Sequence, residues 1–279
     1  MKTAIVTDST AYLEPSLRET YNISIVPLSV IFGTESYREE LDISTDAFYE
    51  KLKTELPKTS QPSTGMIVEE YERLKKEGYD TIISIHLSSG ISGTCQNAQT
   101  ASTMIEGVNV HVFDSEISCA AQGFYTLEAA KMAQDGKSTE EIIQRLNEMK
   151  QTLTAYFVVD DLKHLQRGGR LNNAQAIIGS LLQIKPVLHF EEAKIVPFEK
   201  VRTLKKSIAR IYELFNDVAK EGKPMKAAII HSHRDKEYEA LKAKIEKEHP
   251  HVEVTESYFG PVIGTHLGDR SIGLAWYVI

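Results

Sequence analysis

The sequence predicts an α/β fold in two domains, and three observations carry that expectation. Through the first half, short β-branched runs alternate with amphipathic segments, the pattern of a mainly parallel sheet with helices on both faces. A buried-type strand then restarts the alternation near residue 155. Finally, a chain of 279 residues is long enough that one hydrophobic core usually gives way to two. The boundary is expected near Thr152, dividing the chain into residues 1–151 and a smaller C-terminal α/β domain at 152–279.

In order, Ala4 to Val6, Ser24 to Leu28, Thr81 to Ile85 and Val110 to Phe113 read as strands bounded by polar turns. Between them Asp46 to Leu56, Ile67 to Glu77 and Gly93 to Met104 read as helices; Ser44 and Asp46 are cap candidates for the first and Pro57 stops it. Asp114 to Gln134 reads as a long helical stretch. Gly136 separates it from Thr139 to Lys150, whose start carries Ser138 and Glu141 at capping-box spacing. The second half opens on the strand Ala155 to Val159, followed by a turn at Arg167-Gly168-Gly169-Arg170 and an apolar helix from Ala174 to Leu182. Lys185 to Phe190 with Ile195 to Pro197 has the form of a hairpin. Leu204 to Val218 and Asp235 to Glu248 are helices, and Ala227 to His231 and Val252 to Thr255 are strands.

Composition narrows the function. A net charge of -7 with no dense Lys/Arg run argues against a nucleic-acid surface, and no helix-turn-helix pattern sits in a basic context. The opening Met1-Lys2-Thr3-Ala4-Ile5-Val6-Thr7-Asp8 has too short an apolar run for a signal peptide, and no stretch approaches membrane-spanning length. The two cysteines, Cys95 and Cys119, lack CxxC spacing and suit reduced, buried thiols, so a cytoplasmic location is expected. Histidine pairs at His231 with His233, expected on one face of a strand, and at His249 with His251 come without carboxylate or cysteine neighbours at metal-ligand spacing. No metal site is expected.

Chemistry concentrates in loops at strand ends. Leu87-Ser88-Ser89-Gly90-Ile91-Ser92-Gly93-Thr94 follows a strand and opens a helix, so backbone N–H groups and neutral hydroxyls converge where the helix dipole favours an anion. These hydroxyls exceed what capping one helix requires. A hydrolase elbow would need G-x-S-x-G, and Thr94 stands where its last glycine should be; a P-loop would need Gly-Lys-Ser/Thr. Lys58-Thr59-Ser60-Gln61-Pro62-Ser63-Thr64-Gly65 reads as a connection between helices in which Pro62 keeps Gln61 extended; Ser63 or Thr64 can cap the next helix. Thr7-Asp8-Ser9-Thr10 and Asp114-Ser115 place carboxylates at strand ends. They could serve as acid/base carboxylates, but capping helices and tying neighbouring loops together is the stronger reading. Arg167, Arg170 and Arg202 can grip an anion bidentately or cap a helix end. The segment Gly260 to Gly268, with Thr265 and His266 among glycines and apolar residues, suggests a loop lining a pocket.

Taken together, Thr7 to Thr10, Thr59 to Ser63, Leu87 to Thr94, Asp114-Ser115, Arg167 to Arg170, Lys185-Pro186, Arg202-Thr203 and Ile263 to His266 make the chain resemble the DegV family, the fatty-acid-binding subunits of bacterial fatty acid kinase. The resemblance spans the whole chain and is specific in the order and spacing of its motifs. It implies a long-chain fatty acid in the cleft between two α/β domains, with the carboxylate on Thr59 and Ser92 and with His266 close by. Ser60, Ser89, Gly93, Thr94 and Thr265 would belong to the supporting loops. It further implies a carrier that does no chemistry of its own and has no cofactor or catalytic residue. A separate kinase subunit, binding ATP and magnesium itself, would phosphorylate the presented carboxylate to an acyl phosphate, serving phospholipid metabolism. Arg202 would contact that subunit, Arg170 is a further anion or partner candidate, and ligand exchange would bring transient membrane contact. The competing expectation is an enzyme, a serine esterase or a phosphotransferase, using Ser92.

Overall fold

A computed structural model describes residues 2–171 and 184–279. The apolar helix expected at 174–182, with Ile177, Ile178, Leu181 and Leu182, lies outside the described residues.

The chain is α/β. Strands β1 (Thr3–Asp8), β2 (Ile23–Val26), β6 (Thr81–His86) and β7 (Asn109–Asp114) form a parallel sheet in the order β2-β1-β6-β7. Its central strands read as unbroken apolar runs because both faces are covered. Ala4, Val6 and Ile82 pack under α3 (Thr64–Lys76) and α4 (Thr94–Ser102), and Ile5, Ile83 and Ile85 pack on the opposite side. That side holds α5 (Cys119–Gln134) and α6 (Thr139–Met149), the latter started by a capping box between Ser138 and Glu141. The helix expected from Asp114 starts only at Cys119, because Asp114 ends β7 and its carboxylate accepts the N–H groups of Ser89 and Glu116.

A second sheet has the order β10-β9-β8-β13-β11-β12, made of β8 (Thr154–Val158), β9 (Val187–Glu191), β10 (Lys194–Glu199), β11 (Met225–His231), β12 (Val252–Tyr258) and β13 (Ile272–Val278). Only β11 and β12 run parallel. Its outer face packs under α8 (Leu204–Ala219) and α9 (Asp235–Glu248), centred on Phe215, Ile229, Leu274 and Trp276. Its inner face offers Ala155, Phe157, Ala228, Ile230 and Tyr277 to the same core that holds α5. Helix α5 therefore lies between the sheets, which is why its buried residues run around its circumference instead of forming a stripe. Among the described residues, no strand before Thr152 pairs with one after it.

A third layer was not legible in the sequence. Strands β3 (Ser29–Phe32), β4 (Glu35–Arg38) and β5 (Lys58–Ser60) form a small antiparallel sheet in the order β4-β3-β5. Helix α2 (Thr45–Leu52) packs on it. The stretch around Thr59, expected as a plain connection between helices, is thus an edge strand, with Thr59 opposite Val30. Likewise Gly260 to Gly268, expected as a loop, contains α10 (Pro261–Leu267), started by Pro261 at its first turn. Two shorter α-helices, α1 (Pro15–Thr20) and α7 (Lys163–Gly168), and a 3-10 turn at Ser9–Ala11 complete the described elements. The expected turn at Arg167 to Arg170 is the end of α7, closed by Gly169 at φ 69°. His233 lies beyond the end of β11 with φ 47°, so it does not share a strand face with His231.

Candidate ligand channel

An apolar channel of about 790 Å³, partly open to solvent, runs between the carboxyl ends of the parallel sheet and the inner face of the second sheet. Leu28, Leu87 and Ile91 line one wall, Phe157, Phe190 and Ile230 another, and Phe259, Ile263 and Leu267 a third. Polar groups gather at one end, where Thr59, Ser60, Gln61, Ser92, Arg170 and His266 line the same space.

The small sheet and α10 bring Thr59 and His266 together: Thr59 Oγ1 lies 2.9 Å from His266 Nε2. Burial, then the nearby guanidinium groups of Arg170 and Arg167, push the His266 pKa down to about 4, so the imidazole is neutral at physiological pH. Its Nδ1 is buried without a hydrogen-bond partner among the described residues. A buried acceptor lone pair is better tolerated than a buried unpaired N–H. The tautomer that donates Nε2–H to Thr59 is therefore favoured, and the Thr59 hydroxyl proton is left free for a ligand. Gly168 makes the seat: a Cβ there would stand 2.3 Å from Nδ1.

Ser92 enters from the other side on the turn ahead of α4. Its Oγ lies 2.9 Å from Thr94 Oγ1 and accepts the Thr94 N–H at 3.3 Å. The turn is pressed against the Thr59 strand, since a Cβ at Gly93 would meet the Gln61 amide at 2.6 Å. Among the described residues no histidine hydrogen-bonds Ser92. Arg170 commits Nε to the Ile91 carbonyl at 3.1 Å and Nη1 to that of Gly168 at 2.5 Å, so it joins the Ser92 loop to the end of α7 while adding positive charge to the channel mouth.

The remaining expected residues are placed less directly. Ser60 lines the channel but is exposed, and Ser89 is exposed with its N–H on Asp114. Thr94 is buried behind Ser92, and Thr265 turns its hydroxyl back to the Pro261 carbonyl at 2.9 Å. Arg202 is exposed beside the start of α8, apart from the residues that line the channel.

Two buried networks hold the polar end in place. Asp8 accepts from the backbone N–H of Leu87 at 2.9 Å, from Thr10 Oγ1 at 2.6 Å, and sits 3.1 Å from His86 Nδ1; His86 Nε2 is 2.8 Å from Ser84 Oγ. This has the order of a serine-histidine-aspartate triad, yet Asp8, His86 and Ser84 are each 0% exposed, and the Ser84 hydroxyl already accepts from Tyr71 at 2.8 Å. The network pins the start of the Ser92 loop. Glu39, missed in the sequence and also 0% exposed, accepts from Ser9 Oγ at 2.5 Å, Tyr12 OH at 3.0 Å and the Val262 N–H at 2.7 Å. It thereby holds the first turn of α10, which carries His266. Burial outweighs these donors and lifts its pKa to about 7. Both cysteines are buried and free, and burial raises each thiol to about 12. Among the described residues no helix is long and apolar enough to cross a membrane, and no cluster of three metal-ligating side chains occurs.

Comparison with known proteins agrees with the motif pattern. The family model described as "Uncharacterised protein, DegV family" matches residues 2–278. Protein DegV of Bacillus subtilis is 54% identical over 279 residues, covering 99% of each chain. The crystal structure of DegV from B. subtilis, described as a fatty acid binding protein, superposes with a TM-score of 0.95 over 100% of both chains. A DegV family protein from Thermus thermophilus, described by its fatty acid binding, is 31% identical with a TM-score of 0.93 over 100% of both chains. A fatty acid binding DegV family protein from Streptococcus agalactiae is 34% identical, with a TM-score of 0.91 over 100% of this chain and 99% of that one. The chain belongs to the DegV family.

Proposed function

We propose that this protein binds a long-chain fatty acid, with its acyl chain in the channel and its carboxylate on Thr59 and Ser92, His266 standing behind Thr59. The observation that supports this most is the one-sided chemistry of the channel: mostly apolar along its length, with the hydroxyls of Thr59 and Ser92, a neutral imidazole and the guanidinium of Arg170, tied to two backbone carbonyls, at one end. Burying about fourteen methylenes at about 0.8 kcal/mol each gives on the order of 10 kcal/mol gross, part of which association and ordering remove. A desolvated carboxylate would cancel that gain unless donors replaced its water. Hydrogen bonds to a charged group return roughly 1.5–3 kcal/mol each, so two hydroxyls offset much of the loss.

Neutral donors also suit a carrier. They hold the anion without a bidentate arginine clamp that would compete for its oxygens during phosphoryl transfer. On this reading the protein presents the acid to a separate ATP-using kinase subunit that forms the acyl phosphate, and exposed Arg202 belongs to the surface facing that subunit. The reading also keeps residues 1–151 and 152–279 as two domains with the ligand between them, since the strands on either side of Thr152 belong to different sheets.

Denaturing extraction of the purified protein followed by mass spectrometry tests the reading. A stoichiometric long-chain acid is expected, and its loss from a folded Thr59→Ala/Ser92→Ala double variant. A lipid-free protein that also takes up no added palmitate or oleate would overturn it. The presentation step has its own readout: ATP-dependent acyl phosphate should form only when the kinase subunit is added.

A further inference from the structure

The channel has a definable far end. The polar end lies beyond the carboxyl terminus of β8, where α7 and α10 meet and Gly168 abuts His266. Moving back along β8 from that end, the first inward-facing row is Phe157, level with Gly273 of β13 and, through it, Ile230 of β11. Gly273 makes room for the Phe157 side chain, since a Cβ there would lie 2.9 Å from that of Phe157. The next row on the same face, about 7 Å further on, is Ala155. The β8–β9 register, Phe157 opposite Leu188 and Tyr156 opposite His189, brings Phe190 beside Ala155.

Behind this row lies a second space of a different kind. A cleft of about 530 Å³ is lined by Ser115, Glu116, Lys150, Thr154 and Glu192, with Lys150 Nζ 2.8 Å from Glu116 Oε1. Among the described residues, Ala155 and Phe190 are the two that line both the apolar channel and this polar cleft. Phe190 thus borders both spaces, with its ring 6.2 Å from that of Phe157 between centroids.

Its position is fixed relative to the polar end. Phe190 lies opposite Ile195 in the β9–β10 hairpin, and the turn of that hairpin sits on the Ser92 loop. Ser88 Oγ donates to the Ala193 carbonyl at 2.5 Å, and a Cβ at Gly90 would lie 2.1 Å from that oxygen. One clasp thus ties the loop that carries Ser92 to the strand that carries Phe190.

We propose that Phe190, backed by Ala155, is the stop that sets the longest acyl chain the channel admits. The proposal rests on the fatty-acid reading above and adds a selectivity determinant to it. A chain that fits ends against the ring. A longer one must displace Phe190 from Phe157 or fold back in a packed space, and both are costly in a close-packed interior. With the ring removed, extra methylenes reach the polar cleft, where they no longer clash but gain little, because water reaches them. Opening the stop therefore relaxes a limit without raising affinity for chains that already fit.

The test is a titration series of saturated acids from dodecanoate to docosanoate against delipidated wild type, Phe190→Ala, Phe190→Leu and Ala155→Val, with Phe198→Ala as an exposed aromatic control on β10. Wild type should show a steep fall in affinity past a limiting length. In Phe190→Ala that fall should move to longer acids, with the affinity ratio of longest to best acid rising roughly tenfold or more. Ala155→Val should move it to shorter acids, and Phe198→Ala should leave it in place. Phe190→Leu and Ala155→Val carry the test if Phe190→Ala does not fold. Wild type that binds no acid at any length would overturn the fatty-acid reading itself. Wild type that binds, with variants that shift every affinity by one common factor, would overturn the stop alone.

Discussion

Thr59 Oγ1 and His266 Nε2 stand 2.9 Å apart although 207 residues separate them in sequence. The contact joins the small antiparallel sheet to α10 at the polar end of the channel. If the neutral imidazole donates to Thr59 and so aims its hydroxyl at a carboxylate, Thr59→Val should keep the fold and weaken fatty-acid binding by on the order of tenfold to a hundredfold. Thr59→Ser, which restores the hydroxyl, should recover most of that loss. Equal affinities for the Val and Ser variants would remove Thr59 from the carboxylate site.

The two elements that make that contact mark where the sequence stopped being informative. The parallel sheet was readable because strands covered on both faces become unbroken apolar runs, as in Thr81 to Ile85. Strand β5 carries no such signal: it is three residues long, Lys58-Thr59-Ser60, with two of them exposed at a sheet edge. Helix α10 was hidden for another reason. Gly264 lowers its helix propensity, but a Cβ there would lie 2.7 Å from the Tyr49 hydroxyl, so tertiary packing overrides local preference. The residues of the polar end were singled out through motif order, and with them the wall residues Leu87, Ile91, Ile263 and Leu267, while the walls from the second sheet were not. Phe157 and Phe190 are ordinary apolar strand positions until sheet register turns them inward.

Gly168 offers a test of the His266 seat that leaves the histidine untouched. Its φ is not positive, so alanine is allowed by the backbone, but the new methyl would stand 2.3 Å from His266 Nδ1. The ring must move away from Thr59. Gly168→Ala should cost about 1–3 kcal/mol of stability by overpacking and lower ligand affinity by roughly tenfold. Gly169→Ala, one residue on at φ 69° and with nothing near its Cβ position, should lower stability with far less effect on affinity. Calorimetric melts paired with titrations separate the two effects.

Glu39 should make stability depend on pH near neutrality. Its folded pKa of about 7 stands above the ordinary 4.5, so the folded state holds the proton more tightly than the unfolded chain. The contribution is complete below pH 4.5, declines as pH rises, and is lost above about 7, a change of roughly 3 kcal/mol. Glu39→Gln removes the titration. The variant should show a flatter stability profile from about pH 5 to 8 in urea unfolding, and a slope equal to that of wild type would assign the titration elsewhere.

Asp8 gives the opposite sign and a check on the buried triad. Burial alone would raise its pKa, but the hydrogen bond and charge of His86, with the donors Thr10 and Leu87, bring it below the ordinary carboxylate value. Its contribution is present above the unfolded pKa near 3.8 and is lost as pH falls through the folded value. In Asp8→Asn an amide must replace one acceptor oxygen, and every neighbour there is a donor or already paired, so a buried clash of donors results. The expected cost at neutral pH is about 3–5 kcal/mol, shrinking in acid as the wild-type carboxylate protonates. Because Asp8 fixes the Leu87 N–H at the head of the Ser92 loop, the variant should also lose fatty-acid affinity. A fluorophosphonate should label Ser84 in neither protein, since a fully buried hydroxyl bonded to Tyr71 cannot meet the reagent. Labelling of Ser84 would show that the triad opens to solvent and would restore a hydrolytic role to it.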